Sequence, residues 1–154
     1  MIDTPRVETV DAQPTAVIRL VIPRADIRRV MGPAMQEVAE VVAEQGLGPA
    51  GPMFSRHFRL DPEVFDFEVG MPVKRPVFNA GRVRASTLPA VQVVRTVYTG
   101  PYDGLGEAWG AFVSWIRESG LGVSDEFWES YLTAPAAGAE PATCQTELNR
   151  VMTR

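Results

Sequence analysis

In the segment EFWESYL, a period-two alternation places Phe127, Glu129 and Tyr131 on one face of a strand and Trp128, Ser130 and Leu132 on the other. A carboxylate between two aromatic side chains supports two chemistries. In an edge strand it is simply an exposed, hydrated glutamate. In an aromatic cleft it is partly desolvated and needs a cationic partner, because an unpaired buried charge costs several kcal/mol and aromatic faces attract cations. A related pattern occurs in VFDFEVGMPV, where Phe65, Phe67, Val69 and Met71 alternate with Asp66 and Glu68. Glu147, in TELNRVM, takes the place of Glu68 when the two halves of the chain are laid side by side. No glycine-rich phosphate loop, His-Glu-x-x-His spacing or nucleophile elbow is present, so no metal or cofactor is expected. Cys144 and His57 are the only residues of their types, which excludes an internal disulfide and a cysteine-rich zinc site.

The elements that must carry these residues follow a plan used twice. Gly32-Pro33 opens an amphipathic stretch that closes at Gly46-Leu47-Gly48, and Gly100-Pro101 opens another that closes at Gly120-Leu121-Gly122. Proline at a first helical position and glycine past a last turn are the ordinary ends of a helix. Helical spacing also runs through ADIRRVM before Gly32, so the first helix can begin near Asp26 and kink at Pro33. In the second helix Leu105, Trp109, Phe112 and Ile116 form the buried stripe, which assigns Trp109, with Trp115, to the core.

Strand patterns precede each helix at AVIRLVI and VQVVRTVY, and two more follow each one. The unit is strand, helix, strand, strand. The growing offset between the halves is read as insertion in the second helix and in the loop APAAGAEPA, and AGRVRAS as a join or an edge strand. The expected architecture is α+β: duplicated βαββ units in one antiparallel eight-stranded sheet, with two helices on one face and the other face free for a groove. The whole chain, 1–154, reads as one domain with halves at about 9–75 and 80–154 and a flexible segment at 1–8.

Composition narrows the function classes. A chain of 154 residues with 45% hydrophobic and 22% charged residues can bury a core of its own. Its net charge of −4, with Lys74 the only lysine, gives nucleic acid no general reason to bind directly. No apolar run approaches the roughly 20 residues that span a bilayer. MIDTPRVETV lacks the basic and apolar pattern of a leader, and together with the lone cysteine this points to the cytoplasm.

VYTGPYDGLGEAWGAFVSWIRESGL, FWESYL and TELNRVM, with GPMFSRHF and FEVGMPV in the first half, resemble the GyrI-like small-molecule binding family of bacteria, which also supplies effector domains to AraC-type and MerR-type transcription regulators. The resemblance implies a pseudo-twofold pair of βαββ units with a ligand groove between them. It places the family's pocket glutamate on Glu129 and a second pocket carboxylate on Glu147, with Phe127, Tyr131 and Tyr98 as ligand contacts. Tyr102 matches the family's Gly-Pro-Tyr tyrosine, with packing at the helix start as its other role. Where the family closes its last strand with Pro-Val, this chain reads Arg150-Val151.

The function implied is a stand-alone binding protein for aromatic or lipophilic cationic molecules, acting in drug sequestration or in regulation through a partner. One alternative is a hydrolase of cyclopropanoid natural products, with Glu129 and either Tyr98 or Tyr131 as its reacting groups. Another is a gyrase-inhibitor-like protein working through its acidic outer surface. Haem-associated proteins share the architecture, but His57 on a strand reads as a sheet residue rather than an axial ligand. The sequence leaves open a homodimer or a protein partner.

Overall fold

The structure, a computed structural model, describes residues 1–133 and 140–153. Part of the insertion expected in APAAGAEPA, residues 134–139, lies outside the described residues. In chain order the elements are β1 (Arg6–Val10), β2 (Gln13–Pro23), α1 (Ile27–Glu44), β3 (Phe54–His57), β4 (Val64–Pro72), β5 (Arg84–Leu88), β6 (Val91–Thr99), α2 (Leu105–Glu118), β7 (Val123–Tyr131) and β8 (Gln145–Met152). The fold is α+β: the described residues form two α-helices and one eight-stranded sheet in the order β1-β6-β8-β7-β3-β4-β2-β5.

The chain divides into two compact units, Asp11–Ala90 and Met1–Val10 with Val91–Arg154. In the first, α1 buries Ala34, Val38 and Val42 against Ala16, Ile18, Phe67 and Val69 of β2 and β4. AGRVRAS leads into β5, which pairs with β2 only and so is an edge strand. In the second, α2 buries Ala108, Phe112 and Ile116 against Val94, Tyr98 and Leu148 of β6 and β8. Each fully buried Val, Leu, Ile or Phe among these contributes about 1.5–3 kcal/mol of transfer free energy. The segment expected to be flexible, 1–8, supplies most of β1, which pairs with β6 from Arg6 opposite Arg95 to Val10 opposite Val91. The N-terminal strand thus joins the second half of the chain, while β5 stays with the first.

The duplication is in a different register from the one the glycines suggest. α1 continues through Pro33 without interruption. The residue that matches Pro101, which precedes the 3-10 turn Tyr102–Gly104 leading into α2, is Pro23, which precedes the turn Arg24–Asp26 leading into α1. The halves therefore start 78 residues apart, close to the 79 that separate Glu68 from Glu147. The extra turn of helix is in α1, with 18 residues against 14 in α2, and not in the second helix as expected.

At the end of β6 the chain turns a tight corner. Tyr98 is 5% exposed and its hydroxyl donates to the Pro101 carbonyl at 2.8 Å. Gly100, at φ 152°, adopts a backbone conformation that side chains rarely allow, and a Cβ there would stand 2.5 Å from the Tyr98 hydroxyl. The aromatic-rich helix begins where it does because a buried tyrosine pins the end of the strand beneath it.

Arg150, where the resemblance leads one to expect proline, lies on β8. Its side chain is largely buried, and Nε donates to the Ser124 carbonyl at 2.7 Å, beside the register shift between Val123 and Phe127. Burial pulls its pKa below the usual guanidinium value, against the smaller upward pull of Asp125. Arg150→Leu should leave the Ser124 carbonyl without this donor and cost about 1–2 kcal/mol, read as a lower urea midpoint. An unchanged midpoint would mean that water replaces the guanidinium freely.

Candidate functional site

β7 carries Glu129 because alternation along the strand sends every second side chain to the same side. Leu148, opposite Glu129 in register, belongs to the core under α2, so Glu129 shares the helix-bearing face of its unit with Phe127 and Tyr131. The sequence had placed this carboxylate on a face turned away from the helices. The structure sets it against α2 instead, because the same stripe that buries Phe112 carries Trp109 to the edge of the core.

Two aromatic donors hold the carboxylate. Trp109 Nε1 donates to Oε2 at 2.6 Å and the Tyr131 hydroxyl donates to Oε1 at 2.9 Å. The Trp109 ring meets Phe127 edge to face, with centroids 4.8 Å apart, and lies 5.6 Å from Phe112. Tyr102 stands perpendicular to Tyr131 at 6.1 Å, and its hydroxyl donates to the Thr133 carbonyl at 3.3 Å. Burial, with a smaller contribution from Cys144, pushes the Tyr102 phenol above its usual value, so the ring stays neutral and its hydroxyl remains a donor. The result is a cluster of aromatic rings with a carboxylate anchored among them. Such a cluster suits a flat or bulky cation, since ring faces and carboxylate both favour positive charge.

The other expected site residues go elsewhere. Glu147 stands opposite Ser130 and Val97, and so lies on the far side of the sheet from Glu129. There it accepts from Asn149 Nδ2 at 3.2 Å and faces Arg95 Nε at 3.4 Å. Its counterpart Glu68 has Arg56 at 3.8 Å and accepts a hydroxyl bond from Ser86 at 3.1 Å. The duplicated carboxylates thus each have an arginine beside them. Tyr98 faces α2, but its hydroxyl is committed to the corner. Phe127, Glu129 and Tyr131 are brought together, and Glu147 and Tyr98 do not join them.

Trp109 is the site residue that the sequence assigned to the core. It does pack there, but a part-buried indole N–H still seeks an acceptor, and a nearby strand carboxylate was the signal that could have found it. Among the described residues no cluster of His, Cys, Asp and Glu could hold a metal ion.

A family model described as the GyrI-like small molecule binding domain matches residues 3–148. No curated protein matches in sequence. Among solved structures, the EcmrR C-terminal domain matches with a TM-score of 0.83 at 18% identity, over 98% of this chain and 98% of that one. EcmrR in its DNA complex matches with 0.82 at 18% identity over 98% of this chain, which spans 57% of that longer chain. SAV2435 bound to tetraphenylphosphonium matches with 0.67 at 8% identity, over 98% of this chain and 94% of that one. A hydrolase from Listeria innocua gives 0.63 at 13%, over 97% and 91%. At these identities the structural likenesses show a shared fold.

Proposed function

This chain belongs to the GyrI-like small-molecule binding domain family, and from that premise we propose that it binds aromatic, positively charged small molecules with Glu129 as their counter-ion. The observation that carries the reading is the Glu129 carboxylate fixed by Trp109 and Tyr131 within a cluster of aromatic rings. Each ring face offered to a cation contributes about 0.5–2 kcal/mol, and the carboxylate adds a charge that dipoles alone do not supply. SAV2435, which shares the fold, is described with tetraphenylphosphonium bound, a cation of this shape. No helix of the structure is long and apolar enough to cross a membrane among the described residues. A cytoplasmic binding protein, acting by sequestration or through a separate regulator, fits this reading.

The test is titration with a rhodamine or tetraphenylphosphonium against wild type and Glu129→Gln. Glutamine keeps the shape and removes the charge, so the affinity should fall at least about tenfold, or ~1.4 kcal/mol, in a variant that is still folded at the titration temperature. Equal binding by the two proteins would remove Glu129 from the site.

One geometric feature favours a second reading. The Tyr131 hydroxyl and Glu129 are 2.9 Å apart, an arrangement in which the carboxylate can take a proton from water while the phenol steers a reacting group. Turnover of a cyclopropanoid substrate, lost in Glu129→Gln while binding persists, would establish hydrolysis. Absence of turnover in a protein that binds the substrate would leave the binding reading alone.

A further inference from the structure

Two hydroxyls in the described residues, Thr15 Oγ1 and Thr146 Oγ1, are buried with no hydrogen-bond partner. Both residues are almost wholly closed to solvent, at 1% and 0% exposure. A hydroxyl taken out of water with nothing to bond is a standing cost to the folded state, and a valine of similar shape would remove it. Such a residue in a well-packed unit calls for an explanation.

For Thr146 the surroundings supply one. It lies on β8 directly between Tyr131 of β7 and Tyr98 of β6 in register, on the helix-bearing face. Leu148, two residues along the same strand, stands opposite Glu129, so Thr146 is the diagonal neighbour of the carboxylate across the two strands. Diagonal neighbours of this kind lie roughly 7–8 Å apart, about the distance from a cationic centre to a substituent on an adjoining ring. Of the flanking tyrosines, Tyr98 is buried and bonded to the corner, whereas Tyr131 is only part-buried.

Resting on the reading of the Glu129 site as a cation site, we propose that Thr146 is a specificity-determining ligand contact. Its hydroxyl meets a hydrogen-bonding group, an amine or a carbonyl, borne by the ligand near its positive charge and reaching past the part-buried Tyr131. The preferred ligand class is then an aromatic cation with a polar substituent rather than a purely hydrocarbon one. The Thr146 hydroxyl, which has no partner within the protein, bonds to that ligand. Thr15, in the other unit, has no such neighbours, since it stands opposite Pro72 and Ser86. It is the natural control.

The experiment compares two cations, ethidium with its two amino groups and tetraphenylphosphonium with none, on wild type, Thr146→Val, Thr146→Ser and Thr15→Val. Thr146→Val should weaken ethidium about fivefold, the worth of one hydrogen bond, and leave tetraphenylphosphonium unchanged. Thr146→Ser should keep ethidium affinity, and Thr15→Val should change neither. Both valine variants should melt at or above the wild-type temperature, which separates a lost contact from a damaged fold. If wild type binds both cations and Thr146→Val treats them alike, the Thr146 assignment falls while the Glu129 site stands. If wild type binds neither cation, the site reading falls and takes this one with it.

Discussion

Gly104→Ala is expected to cost the protein about 3 kcal/mol, more than a surface change at a helix start would suggest. A Cβ at Gly104 would stand 2.2 Å from the Tyr98 hydroxyl and 3.2 Å from the ring carbon that bears it. Tyr98 cannot swing aside, because it is 5% exposed and its hydroxyl is bonded to the Pro101 carbonyl at 2.8 Å. Insertion of one methyl therefore either breaks that bond or displaces the ring into the core beneath α2. The mechanism makes a sharper statement than the magnitude. Tyr98→Phe alone should cost about 1 kcal/mol by losing the bond, yet in the Gly104→Ala background it should restore stability, because it removes the atom that the new methyl strikes. Urea midpoints of the two single variants and the double variant decide the matter. Strictly additive losses would show that the corner relaxes around the methyl.

Acid is expected to weaken the protein over a window set by His57. Its ring is stacked on Phe67 at 4.9 Å and meets Phe65 edge to face at 5.3 Å. Burial, aided by the charge of Arg24 and opposed by Asp66, lowers its pKa from 6.5 to about 4. The unfolded chain therefore binds a proton that the folded chain refuses between those two values. Stability is complete above about pH 6.5 and is lost as the pH falls toward 4, in total on the order of 3 kcal/mol. Asp61, lowered by the backbone amides of Glu63 and Val64, titrates beneath this window. So does Asp66, where bonds from Arg19 and Arg59 outweigh the upward push of burial. His57→Gln should give a urea midpoint that is flat from about pH 7 to pH 5. A parallel decline in both proteins would move the sensitivity to another group.

Local pattern was enough to place every strand except β1, both helices and the alternation that sets Glu129 beside Phe127 and Tyr131. Those features depend on spacing within one element. Glu129 and Glu147 were expected on one face, but the register sets Glu129 opposite Leu148 on the helix side and Glu147 opposite Ser130 on the other, and a pairing between distant strands decides this because a slip of one residue exchanges the two faces. Trp109 was assigned to the core because a helical stripe reports which face is buried but not where an indole N–H points. The start of α1 near Asp26 was legible in the spacing, but the repeat alignment was misled by Gly32-Pro33, which looks like a helix opening although the helix passes through it. Pro23 and Pro101, the true counterparts, stand in unlike neighbourhoods and become visible only once both turns are in view. The Tyr98 hydroxyl was expected at a ligand and serves the corner, a close approach between residues that no periodicity encodes.

The placement of β1 has a consequence for synthesis. On the ribosome Arg6–Val10 is made first, but its pairing partner β6 begins 81 residues after Val10, at Val91. By then the contiguous unit Asp11–Ala90 is fully translated and can fold on its own contacts. At 5–20 residues per second the leading strand waits roughly 4–16 s with its hydrogen-bonding edge unfilled. During that interval it is a short, exposed template for any other strand in the crowd of nascent chains. The charges of Arg6 and Glu8 within its five residues are the protection it carries through the wait.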